Sequence, residues 1–208
     1  MKLCVITSEN AKYKHEDIAR FAMEGGADCV QFRKKTGTTK EFLETGDKIR
    51  NILEKKATYI VDDRVDIALA CGADGVHIGD DDMPIERARE LCGKDFIIGV
   101  SVRCVEGAIE AERRGASYLG AGPVFKTKNK DAVPIELEEL ERICKTVKIP
   151  VIAIGGIYLD NVDQVMKAGA HGIAVISAVV DSANPKESVK KLMKKVGPTG
   201  FEPATSRL

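Results

Sequence analysis

Short β-branched apolar runs alternate with amphipathic stretches along the whole chain. The runs predict strands near residues 3–7, 29–33, 58–62, 75–78, 97–101, 118–121, 151–154 and 172–176. Between them the apolar spacing follows a helical period, as from Glu16 to Glu24 and from Leu137 to Val147. Runs that are apolar on both faces, each followed by a helix, predict a parallel sheet covered by helices. The tripeptides Gly26-Ala27-Asp28, Gly72-Ala73-Asp74, Gly115-Ala116-Ser117 and Gly169-Ala170-His171 each end a helix and open a strand. They recur roughly every 45 residues, the length of two βα units, so they mark alternate strands. The glycine suits a left-handed helix cap, and the alanine permits close packing. About eight strands in quasi-repeating pairs fit a single-domain (β/α)8 TIM barrel better than an open doubly wound sheet. The barrel should span residues 1–196, followed by a disordered tail at 197–208, where two prolines interrupt an aperiodic stretch. That tail is assigned no function.

Nearly every run stops at residues suited to phosphate or a metal. Val30 leads to Gln31, Arg33 and Lys35, and Tyr59-Ile60-Val61 to Asp62, Asp63 and Arg64. Val76-His77-Ile78 leads to Gly79, Asp80, Asp81 and Asp82. Leu119 leads through Gly120 and Gly122 to Thr127, Asn129 and Lys130. The last two runs end at Gly155-Gly156 and at Ile176-Ser177. Polar groups at the carboxyl ends of many parallel strands are how a β/α barrel builds its active site.

Composition narrows the function. Lys+Arg and Asp+Glu stand equal at 32 each, so no basic excess predicts nucleic-acid binding. No apolar stretch is long enough to cross a bilayer, and the start is too short for a signal peptide, which leaves a cytoplasmic enzyme as the expectation. Six cysteines without a Cys-x-x-Cys pair read as small buried hydrophobes. The three histidines are scattered, which argues against zinc, and His77 in a strand reads as a satisfied core residue. A homo-oligomer is compatible with the sequence but not specified by it.

Asp63 and Asp82 follow neighbouring strands, and two converging carboxylates suit Mg2+. Arg33, Lys35 and Lys130 would bring positive charge to the same mouth. Both basic runs are equally readable as solvated surface. Asp62, Asp80 and Asp81 are readable as turn or cap residues. Backbone N–H groups after the seventh and eighth strands suit a phosphate. No Ser-His-Asp set, activated cysteine or dinucleotide Gly-x-Gly-x-x-Gly is evident. The set favours a reaction in which pyrophosphate leaves and the protein supplies electrostatics and positioning.

The motifs together resemble the thiamine-phosphate synthase family, from Leu3 to about Lys195. The likeness rests on Val30-Gln31-Phe32-Arg33-Lys34-Lys35, Asp62-Asp63-Arg64-Val65-Asp66-Ile67-Ala68, and Ala73-Asp74-Gly75-Val76-His77-Ile78-Gly79 with Asp82. It continues through Gly99-Val100-Ser101, Gly120-Ala121-Gly122-Pro123-Val124-Phe125 with Thr127, Ile154-Gly155-Gly156-Ile157, and Val175-Ile176-Ser177-Ala178. The resemblance implies a transferase that joins hydroxymethylpyrimidine diphosphate to thiazole phosphate, giving thiamine phosphate and pyrophosphate. It implies Mg2+ on Asp63 and Asp82. Arg33, Lys35, Ser101 and Lys130 would act on the diphosphate, with Gln31, Asp62 and Asn129 nearby. Thr127 and the backbone at Gly156, Ile176 and Ser177 would hold the thiazole phosphate. Loss of pyrophosphate would leave a pyrimidine-stabilised carbocation for the thiazole nitrogen to attack.

The chain departs from that pattern in places. The family usually has Asn at the position of Asp62, Thr-His at Val102-Arg103, Thr at Asn129 and Gln at Asp80. Two rival readings follow. One is a thiazole tautomerase-like isomerase on the same barrel, which would need a histidine where Arg103 stands. The other is a non-catalytic barrel that binds a phosphate ligand.

Overall fold

The computed structural model describes residues 1–9, 12–128 and 132–197. Eight parallel strands close into a barrel in chain order. They are β1 (Leu3–Ile6), β2 (Cys29–Phe32), β3 (Thr58–Asp62), β4 (Gly75–Ile78), β5 (Ile97–Val102), β6 (Tyr118–Ala121), β7 (Val151–Ile154) and β8 (Gly172–Val175). The helices between them are α1 (His15–Gly25), α2 (Thr39–Leu53), α3 (Val65–Ala70), α4 (Ile85–Cys92), α5 (Val105–Arg113), α6 (Glu136–Thr146) and α7 (Val162–Lys167). The short α8 (Ser177–Val180) and the longer α9 (Pro185–Val196) follow the last strand. The (β/α)8 TIM barrel expected from the apolar runs is the fold, and the strand bounds differ from the pattern by one residue at most.

The glycine–alanine repeat does what its spacing implies. Gly26, Gly72, Gly115 and Gly169 all have φ between 60° and 97°. Each stands just before an even-numbered strand, and the alanine after each is buried. Along each strand alternate side chains separate two cores. Leu3, Val5, Val30, Val61, Val76, Ile98, Leu119, Ala153 and Ile173 face outward into one cluster with the helices. Met1, Cys4, Ile6, Cys29, Ile60, Tyr118, Ile152 and Ala174 fill the barrel interior. The inner cluster occupies the amino-terminal part of the barrel. Toward the carboxyl ends the inward positions turn polar, at Gln31, Asp62, His77 and Ser101.

Helix α2 begins after the basic segment of β2 with a reciprocal cap. The Glu41 N–H donates to Thr38 Oγ1 at 3.3 Å, and the Thr38 N–H donates to Glu41 Oε2 at 2.7 Å. This satisfies two amides that helix formation would leave unpaired. Of the tail expected at 197–208, Gly197 caps α9 and residues 198–208 lie outside the described residues. Among the described residues no helix is long and apolar enough to cross a membrane.

Candidate active site

A cavity of about 460 Å³ opens at the carboxyl ends of the strands. One arc of its wall comes from β2 to β5 and carries Gln31, Arg33, Lys35, Asp62, Asp63, Asp82 and Ser101. The other arc, from β6 to β8, carries Thr127, Gly156, Ile176 and Ser177. Sequence reasoning assigned all eleven to a site, and the fold brings them to one cavity. Asn129 and Lys130, assigned with them, lie outside the described residues.

Charge in the first arc is arranged around Asp62. This residue ends β3 with its side chain directed inward, and its side chain is only 9% exposed. Gln31 Nε2 donates to its Oδ1 at 2.5 Å, Lys35 Nζ lies 3.2 Å from Oδ2, and Arg33 Nε lies 3.5 Å away. A turn or cap role, one reading of the sequence, is therefore excluded for Asp62. Burial pushes its carboxyl up to about 6, and the charge of Asp63 adds to this against the pull of Lys35 and Arg33. Lys35 also donates to Asp63 Oδ2 at 2.5 Å. Burial works against the Lys35 ammonium, but Asp63 and Asp62 outweigh it and raise its pKa.

Asp82 reaches the same place from the turn after β4. It accepts from the Gly79 N–H at 2.7 Å. Its carboxyl is raised, first by burial and further by Asp63, against that amide bond. Two carboxylates brought this close call for a cation between them. Asp80 and Asp81 occupy the turn itself, as expected for residues of that type. Arg64, the next charged residue in the chain after Asp63, turns away. It makes two hydrogen bonds to Asp66, at 2.8 and 2.6 Å, and stacks over the Phe42 ring. Lys34, between the two site cations, pairs with Glu9 at 3.0 Å.

Three supporting features were not assigned from sequence. His77 is the first. Its Nδ1 lies 2.9 Å from the Tyr118 hydroxyl and its Nε2 3.0 Å from Ser101 Oγ. It is satisfied, as expected, but it lines the cavity rather than sitting in a closed core. The strand alternation that places Gly75 inward places His77 inward too. Gly120 supplies the room, since a Cβ there would stand 2.7 Å from His77 Cε1. Tyr118 is the second, buried at the inner end of this chain with its phenol held well above its ordinary pKa by desolvation. The third is the pair Thr7 and His15, whose Oγ1 and Nδ1 are 2.8 Å apart. Thr7 Oγ1 also accepts the Arg33 N–H at 3.1 Å, so the first strand fixes the start of the basic segment. No sequence spacing links Thr7 to residue 33; the parallel pairing of β1 with β2 does.

The second arc is built from backbone. Gly156 has φ 66°, and a Cβ there would meet the Lys126 carbonyl oxygen at 2.6 Å. Asn161 Nδ2 donates to its carbonyl at 2.8 Å and holds the turn. We expect Gly156→Ala to lower Tm by several degrees, from left-handed strain plus the clash. It should also raise KM for a phosphate substrate at this arc at least about tenfold, the cost of a displaced amide contact. Calorimetry and steady-state kinetics check both. Lys128 crosses to Asp181 at 2.7 Å, so it is paired rather than merely solvated. Arg103 donates to the Val133 carbonyl at 2.6 Å and is exposed, away from the cavity wall.

Asp62 gives a further expected result, with a definite sign. An acid whose folded pKa is raised binds protons more tightly in the native state, so stability falls as pH rises from about 4 to about 6 and stays lower above that. The cost at neutral pH is roughly 2–3 kcal/mol. In metal-free buffer, Asp62→Asn should raise Tm at pH 7 by roughly 5 °C and change it little at pH 4. Equal shifts at both pH values would show that Asp62 is not strained by its charge.

Residues 3–179 match the family model for thiamine monophosphate synthase. A thiamine-phosphate synthase of Pyrococcus abyssi is 49% identical over 196 residues, covering 93% of this chain and 94% of that protein. One from Pyrococcus furiosus is 50% identical over 198 residues, covering 94% and 95%. The solved structure of a thiamine phosphate pyrophosphorylase from Pyrococcus furiosus superposes with a TM-score of 0.89 at 48% identity, covering 94% of this chain and 95% of that one. The chain belongs to the thiamine monophosphate synthase family.

Proposed function

We propose that this protein is a thiamine-phosphate synthase, a transferase that condenses hydroxymethylpyrimidine diphosphate with thiazole phosphate in thiamine biosynthesis. The observation that carries this reading is that one cavity has two unlike arcs, each of a kind suited to an anion. Cationic side chains and paired carboxylates line the β2–β5 side, and glycine-rich backbone lines the β6–β8 side. The high identity to named synthases over nearly the full chain supports it. We place the reaction in the cytoplasm.

The donor set at Asp63 and Asp82 fits Mg2+. Both groups are hard oxygen donors, they meet at the cavity rim, and the Asp82 carboxyl is raised by burial and further by Asp63. Among the described residues no cluster of three or more metal-binding side chains is present. That suits an ion that takes its remaining ligands from water and a diphosphate. Bound there, Mg2+ would neutralise the charge that develops on the departing pyrophosphate.

The protein's own residues do the positioning. Arg33 offers a planar fork and Lys35 a point charge to the diphosphate. Both now lie on Asp62, which keeps them gathered at the mouth. Ser101, oriented by His77, presents a hydroxyl to the same group. Lys130 is assigned here on the resemblance alone. Thr127, with the backbone of Gly156, Ile176 and Ser177, holds the thiazole phosphate so that the ring nitrogen faces the pyrimidine methylene. The methylene–oxygen bond breaks, its electron pair leaves with pyrophosphate, and the nitrogen lone pair forms the new bond to carbon. Holding the two substrates at contact removes most of the entropic barrier to their meeting.

The tautomerase reading loses support at Arg103. Its guanidinium is always charged near neutral pH and points to the Val133 carbonyl, outside the cavity wall. The distinguishing experiment supplies the two synthase substrates in one reaction and the thiazole tautomer alone in another. Thiamine phosphate in the first and no isomerisation in the second is expected. Isomerisation without condensation would reverse the assignment. Binding of either substrate without turnover would identify a non-catalytic barrel.

A further inference from the structure

The floor of the cavity holds two thiols that the proposed chemistry does not use. Cys4 of β1 and Cys29 of β2 are register partners in the parallel ladder, and both point into the barrel. Their sulfurs are 3.2 Å apart, with the Cys29 thiol donating to Cys4. Cys29 is fully buried, whereas Cys4, although only 1% exposed, forms part of the cavity wall. The other four cysteines sit on the outside of the barrel. Cys71 follows α3, Cys92 lies in α4, Cys104 caps α5 and Cys144 lies in α6.

We propose that Cys4 and Cys29 form a reversible disulfide across the cavity floor, made by exchange with a low-molecular-weight disulfide that enters through the mouth. A disulfide needs Cα atoms about 4.4–6.8 Å apart and sulfurs at about 2.05 Å. Register partners on adjacent strands lie about 4.8 Å apart, inside that window. The sulfurs must therefore approach by about 1.2 Å, which side-chain rotation supplies without moving a strand.

The exchange balances in two steps. The Cys4 thiolate attacks one sulfur of the small disulfide, which releases a thiol and leaves a mixed disulfide on Cys4. Cys29 then loses its proton and attacks the Cys4 sulfur, which releases the second thiol. Two protein thiols are oxidised and one small disulfide is reduced. Burial holds the Cys29 thiol well above its ordinary pKa, so it attacks second and only because its partner is already in contact. The bond ties β1 to β2, of which β2 carries Gln31 one inward position above it, and the two strands lead on to Thr7 and Arg33. The closed loop spans 25 residues, and removing its freedom from the unfolded chain stabilises the fold.

The test treats the full-length protein with oxidised mercaptoethanol. Thiols are counted, and the bond is mapped by differential alkylation and peptide mass spectrometry. The expected result is loss of two of the six thiols, a Cys4–Cys29 cross-linked peptide, and reversal by dithiothreitol. Tm of the oxidised protein should rise by roughly 5–10 °C. Cys29→Ala should stop at a mixed disulfide on Cys4, and Cys4→Ala should leave Cys29 unmodified. The mapping on the unaltered chain decides the matter even if a variant fails to fold. Six thiols surviving the oxidant, or oxidation confined to Cys92, Cys104 and Cys144, would overturn the proposal. So would a cross-link that forms only in urea.

Discussion

Asp82→Asn should slow product formation about a thousandfold, the equivalent of roughly 4 kcal/mol of transition-state stabilisation. Asp63→Asn should do the same. The amide is the informative replacement at both positions. At Asp82 it can still accept the Gly79 N–H, so the turn after β4 is kept and only the charge is lost. At Asp63 the backbone has φ 62°, in the left-handed region that Asn tolerates and Ala does not. Both side chains stand at the rim rather than in either core, so Tm should move by less than a few degrees. Raising the Mg2+ concentration should restore part of the rate in each single variant and none in the double. Two single variants with unchanged rate and unchanged metal requirement would show that these carboxylates hold no metal.

Lys35→Ala should lower kcat/KM about 10- to 100-fold, the range expected for one charge-assisted contact of roughly 1.5–3 kcal/mol. KM for the diphosphate substrate should rise, and KM for thiazole phosphate should stay within about twofold, because the second arc is untouched. The neighbouring Lys34→Ala provides the control. Its ammonium pairs with Glu9 at 3.0 Å and faces away from Asp62 and Asp63, so its removal should leave both KM values unchanged. A matching loss in Lys34→Ala would mean that the positive charge acts through the overall field rather than through a placed contact. A rise in KM for thiazole phosphate would place Lys35 on the wrong substrate.

These residues show what can be read from sequence and what cannot. The barrel was legible because alternation and helical period are local, and because the Gly-Ala repeat marks every second strand. The lining of the candidate site was legible where polar residues or glycine follow a strand end, as with Gln31, Arg33, Asp63, Asp82 and Gly156. Partners brought together only by strand pairing and register were not. Thr7 reaches the Arg33 amide from the first strand, and Tyr118 reaches His77 across two strands of the sheet. Side-chain direction was also hidden. Arg64 and Arg103 stand close in sequence to the site, yet one turns to Asp66 and the other to the Val133 carbonyl. Asp62 could have been a turn residue by composition. Its position as the last inward residue of β3 makes it a buried acid instead.

That buried acid bears on the departure at position 62. Asp62 holds Arg33 and Lys35 in place while competing with a diphosphate for them. The pair of cations outnumbers it, and Lys35 has Asp63 as a second partner. With Asp62, Asp63 and Asp82 against Arg33 and Lys35, the described wall carries no excess of positive charge, so a diphosphate here calls for a divalent cation as well. The Asp62→Asn variant reads this balance in substrate affinity as well as in stability.

The proposed reaction joins two phosphorylated halves in this cavity with the help of a divalent ion. Its most direct test is an end-point reaction containing the protein, hydroxymethylpyrimidine diphosphate, thiazole phosphate and Mg2+, run with and without chelator. Thiamine phosphate and an equal amount of pyrophosphate, both abolished by chelator and restored by excess Mg2+, are the expected result. A folded protein that binds either substrate yet forms no product in Mg2+ would contradict it.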